Sequence, residues 1–131
     1  LVMNGDVLTT TNYPKLLKFH STSGGMASVC VREYDLEVRY GVVRSQDDRI
    51  IELIEKPVEK YFVNAGIYVL NWELINYVDA GHRLDMTDLL NSAISDNKII
   101  SMYPIHEKWL DIGAREQYEE ALLTAPSFAI D

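Results

Sequence analysis

The sequence predicts an α/β fold: a layered, mixed β-sheet with flanking helices. Three observations carry that expectation. Short apolar runs bounded by Gly, Asn or Asp recur along the chain. Segments with apolar residues at i, i+3 and i+4 lie between them, and the two kinds alternate. Alternation of this sort stacks helices on a sheet, and so builds layers rather than a bundle or a sandwich.

Leu1–Met3 is a short apolar run, read as a buried strand of the parallel-sheet type. Asn12 can cap a helix whose first turn tolerates Pro14, with Tyr13, Leu16, Leu17 and His20 on one face. Gly24-Gly25 stops it. Met26–Arg32 and Gly41–Arg44 are expected strands. Gln46-Asp47-Asp48-Arg49 is a polar hairpin turn before a strand over Ile50–Ile54. Tyr61–Leu70 is a strand interrupted at Asn64-Ala65-Gly66, where missing side chains allow a ligand or another backbone to approach. Asn71–Val78 is a short helix. Asp85 and Asp88 then sit at the N-cap and N3 of another, with Leu89, Leu90, Ala93 and Ile94 as its apolar stripe. Lys98–Tyr103 and Trp109–Ile112 are strands. Arg115–Leu123 is a last helix with Tyr118, Ala121 and Leu122 inward, and 125–131 is a tail.

At 131 residues, 47% apolar and 24% charged, the chain can bury the core of one domain. A net charge of −8 excludes wrapping a nucleic-acid backbone, which needs a basic face. It does not exclude a nucleotide whose phosphates are neutralised by a metal and one or two local cations. The uncharged stretch Tyr61 to Trp72 is too short to cross a bilayer and carries Asn64, Gly66 and Asn71, so no membrane partner is expected. Cys30 is the only cysteine, expected as a buried strand residue in a protein of the reducing cytoplasm. His20 and His82 read as surface or helix-face histidines, and the three histidines lack the spacing of a zinc site. The first residue is not methionine, and the chain is expected to be a piece of a longer polypeptide.

Two apolar runs end in a carboxylate followed or preceded by turn residues: Asn4-Gly5-Asp6 closes the first, and Asp111 closes Lys108-Trp109-Leu110 ahead of Ile112-Gly113. Such a charge stands at a strand tip, and in open α/β sheets that rim is where ligands bind. If the two strands are neighbours, Asp6 and Asp111 could share one divalent cation. Glu55-Lys56-Pro57 ends another apolar strand and offers a cation to a phosphate, with Pro57 biasing Lys56 to extended backbone. Asn64, inside an apolar strand, reads as a buried amide that needs partners. Each feature alone is ordinary. Asn-Gly-Asp is a common turn, Asp-Ile-Gly a common helix cap, Glu-Lys a common solvated pair, and Gly41 a common strand-start glycine.

Their order along the chain is more specific. The segments LVMNGDVL, YGVV, IELIEKP, YFVNAGIYVLN, DMTDLL and WLDIGAREQYEEA, running from Leu1 to Ala121, resemble the sugar-1-phosphate nucleotidyltransferases, closest to the guanylyl- and thymidylyl-type members. The resemblance implies a Rossmann-like nucleotidyltransferase fold that joins a nucleoside triphosphate to a sugar 1-phosphate. It implies that Asp6 and Asp111 hold a catalytic Mg²⁺, that Lys56 contacts the sugar's phosphate and Glu55 the sugar hydroxyls, and that Gly41 and Asn64 line the sugar pocket. Hard carboxylate oxygens suit Mg²⁺, and a lysine is a sensible point charge for a phosphate.

The family's Gly-rich signature, with its triphosphate-holding arginine and lysine, is not found in these residues; Gly24-Gly25 follows a helix rather than opening one. The chain therefore reads as the C-terminal, acceptor-sugar portion of a nucleotidyltransferase, lacking the N-terminal nucleotide-binding part and inactive by itself. A non-catalytic, sugar-nucleotide-binding regulatory relative is one alternative. A metal-dependent glycosyltransferase is another, although its Asp-x-Asp pair is missing at Asn4-Gly5-Asp6. Base, sugar and homo-oligomerisation are left open.

Overall fold

The structure is a computed structural model and describes residues 1–113 and 115–124. The expected tail, 125–131, lies outside the described residues. Its elements are β1 (Val2–Met3), β2 (Val7–Thr9), α1 (Tyr13–Ser23), β3 (Ala27–Glu37), β4 (Val42–Gln46), β5 (Arg49–Ile54), β6 (Val58–Leu70), a 3₁₀ helix (Trp72–Tyr77), α2 (Met86–Ser95), β7 (Ile100–Pro104), β8 (Trp109–Asp111) and α3 (Arg115–Thr124). They form two compact units: Leu1–Val31 with the residues from Asn64 onward, and Arg32–Val63.

The first unit is built on a four-stranded sheet in the order β1-β6-β3-β7. It is mixed: β1 pairs antiparallel with β6, and β3 parallel with β7. Both faces are covered. Ala65, Ile67 and Val69 of β6 alternate onto one face, where they pack with Leu16 of α1, Cys30 and Ile105. Tyr68 points to the other and packs with Ala27, Leu74, Leu89, Leu90 and Ala93. A segment buried on both sides has to be free of charge, which is why Ala65–Val69 of β6 carries no charged side chain. Helix, sheet, helix: the layered α/β fold is the one expected.

Asn12 caps α1, its Oδ1 accepting from Lys15 N at 3.0 Å, and Gly24 ends the helix in left-handed backbone at φ +68°. The sequence placed Leu16 and Leu17 on one inner face. Leu16 is fully buried, but Leu17 is 45% exposed. Ile94 of α2 and Tyr118 and Leu122 of α3 are likewise exposed, while Ala93 and Ala121 are buried. A helix resting on a flat sheet buries a narrower stripe than the apolar residues it carries. Asp85 flanks α2 as expected, yet its side chain caps nothing and instead meets Arg83 at 3.4 Å. The segment after Asn71 is 3₁₀ rather than α-helical.

His20 is not a bystander on the helix surface. Its Nδ1 lies 2.9 Å from Ser28 Oγ, and its Nε2 lies 3.0 Å from Asn71 Oδ1. Asn71 Nδ2 donates to Gly25 O, so its Oδ1 is the atom turned to the ring and Nε2 donates to it. The imidazole thereby ties α1 to β3 and to the end of β6.

Cys30 is fully buried in β3, and burial, followed by the nearby charge of Glu107, pushes its thiol up to about 12. A thiol that stays neutral and enclosed is inert. Cys30 is therefore expected to resist iodoacetamide at pH 8.5 in the native protein and to react once denaturant is added; mass spectrometry of the labelled chain reads this. Because folding holds the proton on, the contribution is present below the ordinary thiol range and lost as pH climbs from there toward 12.

In the second unit β4 and β5 form an antiparallel hairpin with Val42 opposite Ile54 and Gln46 opposite Arg49. Asp47, at φ +52°, makes the turn that the polar residues there foretold. Arg44 and Glu52 face each other at 3.3 Å in solvent. β3 and β6 run further than expected, to Glu37 and from Val58. The added residues are exposed, as are Tyr61 and Phe62 inside the expected β6 strand, so the extended backbone outruns the buried segment in both strands.

Candidate functional site

Asp6 was expected at the tip of the first strand, next to the strand of Asp111. The structure brings the two residues together differently. β1 is an exposed two-residue strand in the four-stranded sheet, antiparallel to β6, not a buried strand of the parallel type. Asn4-Gly5-Asp6 then turns into β2, a three-residue strand that the sequence reading missed. β2 pairs antiparallel with β8, Val7 opposite Asp111 and Thr9 opposite Trp109. Asp6 just before β2 and Asp111 at the end of β8 consequently share one end of a separate two-stranded sheet, and Ile112 N donates to Asp6 O at 2.8 Å.

Gly113 marks where the carboxylates meet. A Cβ built on it would lie 3.1 Å from Asp111 Oδ1 and 3.5 Å from Asp6 Oδ2. Gly113 N donates to Asp111 Oδ1 at 2.9 Å, which fixes that carboxylate in a tight turn. Asp6 is exposed and Asp111 half-buried, so both can be reached from solvent. Two carboxylates from two strands, with no imidazole or thiolate beside them, form a hard oxygen donor pair. Among the described residues no cluster of three or more His, Cys, Asp or Glu could hold a metal. That donor set fits Mg²⁺, which takes one or two carboxylates and completes its shell with water and substrate phosphates. It does not fit zinc or an all-protein calcium cage.

The interruption in β6 is bonded to residues flanking this pair in sequence, Asn4 and Trp109. Gly66 has φ +70°, so the ladder is kinked there and three backbone groups need partners. Gly66 N donates to Asn64 Oδ1 at 2.9 Å, Gly66 O accepts from Asn4 N at 2.8 Å, and Ala65 O accepts from the Trp109 indole at 2.8 Å. The turn carrying Asp6 and the strand carrying Asp111 thus hang on two successive carbonyls of β6. The sequence signal was a glycine inside a strand pattern; which groups use it was invisible there. Asn64 is exposed rather than buried. Its Nδ2 donates to Tyr68 OH at 2.8 Å, which leaves one amide hydrogen and one lone pair for a ligand.

Gly41, Glu55 and Lys56 belong to the second unit. The pairing of Val42 with Ile54 sets Gly41 beside Glu55 at the open end of the hairpin, and a Cβ on Gly41 would come within 3.1 Å of Glu55 Oε2. The room at Gly41 is taken, in the protein alone, by the Glu55 carboxylate. Lys56 contradicts the extended backbone expected before Pro57: its φ is +44°. Three residues connect β5 to β6, Pro57 has its own φ locked, and Pro57 O is tied to Val38 N at 3.0 Å. The turn therefore falls on Lys56, in the left-handed region that costs a side-chain-bearing residue about 1–2 kcal/mol. All three residues are exposed.

The profile of the nucleotidyl transferase family matches residues 1–127. A Sulfolobus acidocaldarius protein of mannose-1-phosphate guanyltransferase type is 34% identical over 121 residues, which cover 90% of this chain and 33% of that protein. The glucose-1-phosphate adenylyltransferase of Clostridioides difficile is 29% identical over 139 residues, covering 92% and 35%. Among solved structures, a Bacillus anthracis protein of glucose-1-phosphate thymidylyltransferase type superimposes with a TM-score of 0.63 at 23% identity, covering 98% of this chain and 54% of that one. The chain spans about a third of the length of the curated relatives it matches.

Proposed function

This chain belongs to the nucleotidyl transferase family, and from that premise we propose that the whole protein transfers a nucleotidyl group from an NTP to a sugar 1-phosphate, giving an NDP-sugar and pyrophosphate. The observation that carries the reading is the convergence of Asp6 and Asp111 beside Gly113. Two strands far apart in sequence deliver two carboxylates to one solvent-reachable point, which is what a site for phosphate-bound Mg²⁺ needs.

In the reaction an oxygen of the sugar phosphate attacks the α-phosphorus of the NTP. The bond from that phosphorus to the β-phosphate's bridging oxygen breaks, and pyrophosphate leaves. No protein nucleophile takes part, so the protein's contribution is position and charge. Asp6 and Asp111 would hold Mg²⁺, and bound there it supplies the Lewis acidity that offsets phosphate charge. Lys56 Nζ takes the phosphate of the acceptor and lessens its repulsion from the triphosphate. Glu55 accepts from sugar hydroxyls, and Gly41 acts through Glu55 by leaving its carboxylate room. Asn64 lines the sugar pocket with its remaining hydrogen and lone pair.

The relatives named above differ in both base and sugar, so neither is assigned to this protein. An NTP-using reaction and a free, protonated Cys30 favour the cytoplasm, and homo-oligomerisation stays open.

The test is pyrophosphate release by the whole protein with Mg²⁺, over a panel of nucleoside triphosphates against mannose and glucose 1-phosphates. Release that needs one particular pair is expected. Tight binding of an NDP-sugar without release would favour the regulatory reading. Transfer of sugar from an NDP-sugar to an acceptor would favour a glycosyltransferase.

A further inference from the structure

The vacant Cβ position of Gly66 is enclosed by the residues on either side of the turn that carries Asp6. A Cβ there would meet Asn4 Nδ2 at 2.8 Å, Asn4 Cγ at 3.0 Å and Val7 Cγ2 at 3.2 Å. Asn4 precedes Gly5-Asp6 and Val7 follows it, so a side chain from each shoulder of the two-residue turn borders the Cβ position of Gly66. The same glycine accepts the Asn4 N–H, and its φ of +70° aims that carbonyl. Gly5, by contrast, has nothing within 4 Å of its own Cβ position, so a side chain there would stand in open space.

We infer that Asn4 and Gly66 act as a positioning pair: Gly66 is the seat, and the Asn4 amide pressed onto it sets the direction in which Asp6 presents its carboxylate beside Asp111. Neither residue touches the reacting atoms. Their effect passes through Asp6, and the inference rests on the Mg²⁺ reading proposed above. Growing a methyl group at Gly66 lifts the turn at both shoulders and moves Asp6 away from Asp111. Removing the Asn4 side chain leaves the backbone bond to Gly66 but frees the turn to rock.

The test measures Mn²⁺, an oxygen-preferring surrogate for Mg²⁺, binding to the whole protein by the loss of its free EPR signal, with circular dichroism and a thermal midpoint for every variant. Binding that weakens in Asp6→Asn establishes that the site is the one read. Gly66→Ala is then expected to weaken binding by roughly 10- to 100-fold, the range seen when outer-shell supports of metal ligands are lost. Asn4→Ala, at an exposed position, should weaken it several-fold with the thermal midpoint little changed. In the double variant the methyl group enters the space the amide has left, so binding should be no weaker than in Gly66→Ala alone. Independent sites would instead multiply their losses.

Folded Gly66→Ala and Asn4→Ala proteins that bind Mn²⁺ like the wild type would overturn the positioning inference and leave the metal reading intact. Wild-type binding indifferent to Asp6→Asn would overturn both. Should Gly66→Ala fail to fold, Asn4→Ala alone decides.

Discussion

Asp111→Asn is expected to lower kcat/KM of the whole protein by at least about 100-fold, since a ligand that supports several kcal/mol of charge stabilisation in the transition state is lost. The amide has nearly the shape of the carboxylate, and its oxygen can still accept the Gly113 N–H that Asp111 Oδ1 accepts at 2.9 Å. The turn and the β2–β8 pairing should therefore survive. What changes is charge: the pair with Asp6 falls from two negative charges to one. The Mg²⁺ concentration needed for half-maximal rate should rise, and it should rise at any concentration of either substrate. Kinetics varying Mg²⁺, NTP and sugar phosphate separately, beside a thermal melt, read this. A variant with normal Mg²⁺ dependence would remove the metal from the Asp6–Asp111 pair.

Lys56→Ala is expected to act on one substrate only. A charge-assisted contact to the sugar phosphate contributes roughly 1.5–3 kcal/mol, so kcat/KM for the sugar phosphate should fall roughly 10- to 150-fold while the NTP KM changes little. Lys56→Arg should recover part of this, since a planar fork does not reproduce the ammonium's position. The left-handed backbone at φ +44° adds a second test. Lys56→Gly should lose activity as alanine does yet stabilise the fold, by a few tenths to about 1 kcal/mol, because glycine enters that region without strain but loses more chain entropy on folding. Strain kept at a residue whose replacement by glycine is both easier to fold and less active is what a functional position predicts. If Lys56→Gly melts lower, or if Lys56→Ala leaves sugar-phosphate kinetics intact, the Glu55-Lys56-Pro57 segment is a surface turn and nothing more.

Much of this molecule was legible from residues alone, and the reason is that the legible parts are local. The Asn12 cap, the Gly24 stop, the Asp47 turn and the alternation of elements each depend on neighbours within a few positions. β6 announces burial on both faces by the uncharged run Ala65–Val69, although the apolar Tyr61 and Phe62 ahead of it are exposed. The same locality explains the errors. Leu17 and Ile94 carry the right character on nearly the right face, and only the contour of the sheet beneath decides that, of the expected stripes, Leu16 and Ala93 are covered and these two are not.

The sequence by itself determined the fold class, the family likeness and the two carboxylate-bearing turns. Only the tertiary structure decided that those turns meet. β2 has three residues, too few for any period to show, and it exists because Trp109–Asp111 lies alongside to take its hydrogen bonds. The kink at Gly66 holds because Asn4 and Trp109, from opposite ends of the chain, accept the task of pairing the carbonyls it frees. The left-handed Lys56 follows from a three-residue connection between strands whose ends are fixed elsewhere. Propensity is a property of a segment, whereas these features are stabilised by partners distant in sequence, and a partner's position is known only once the chain has folded.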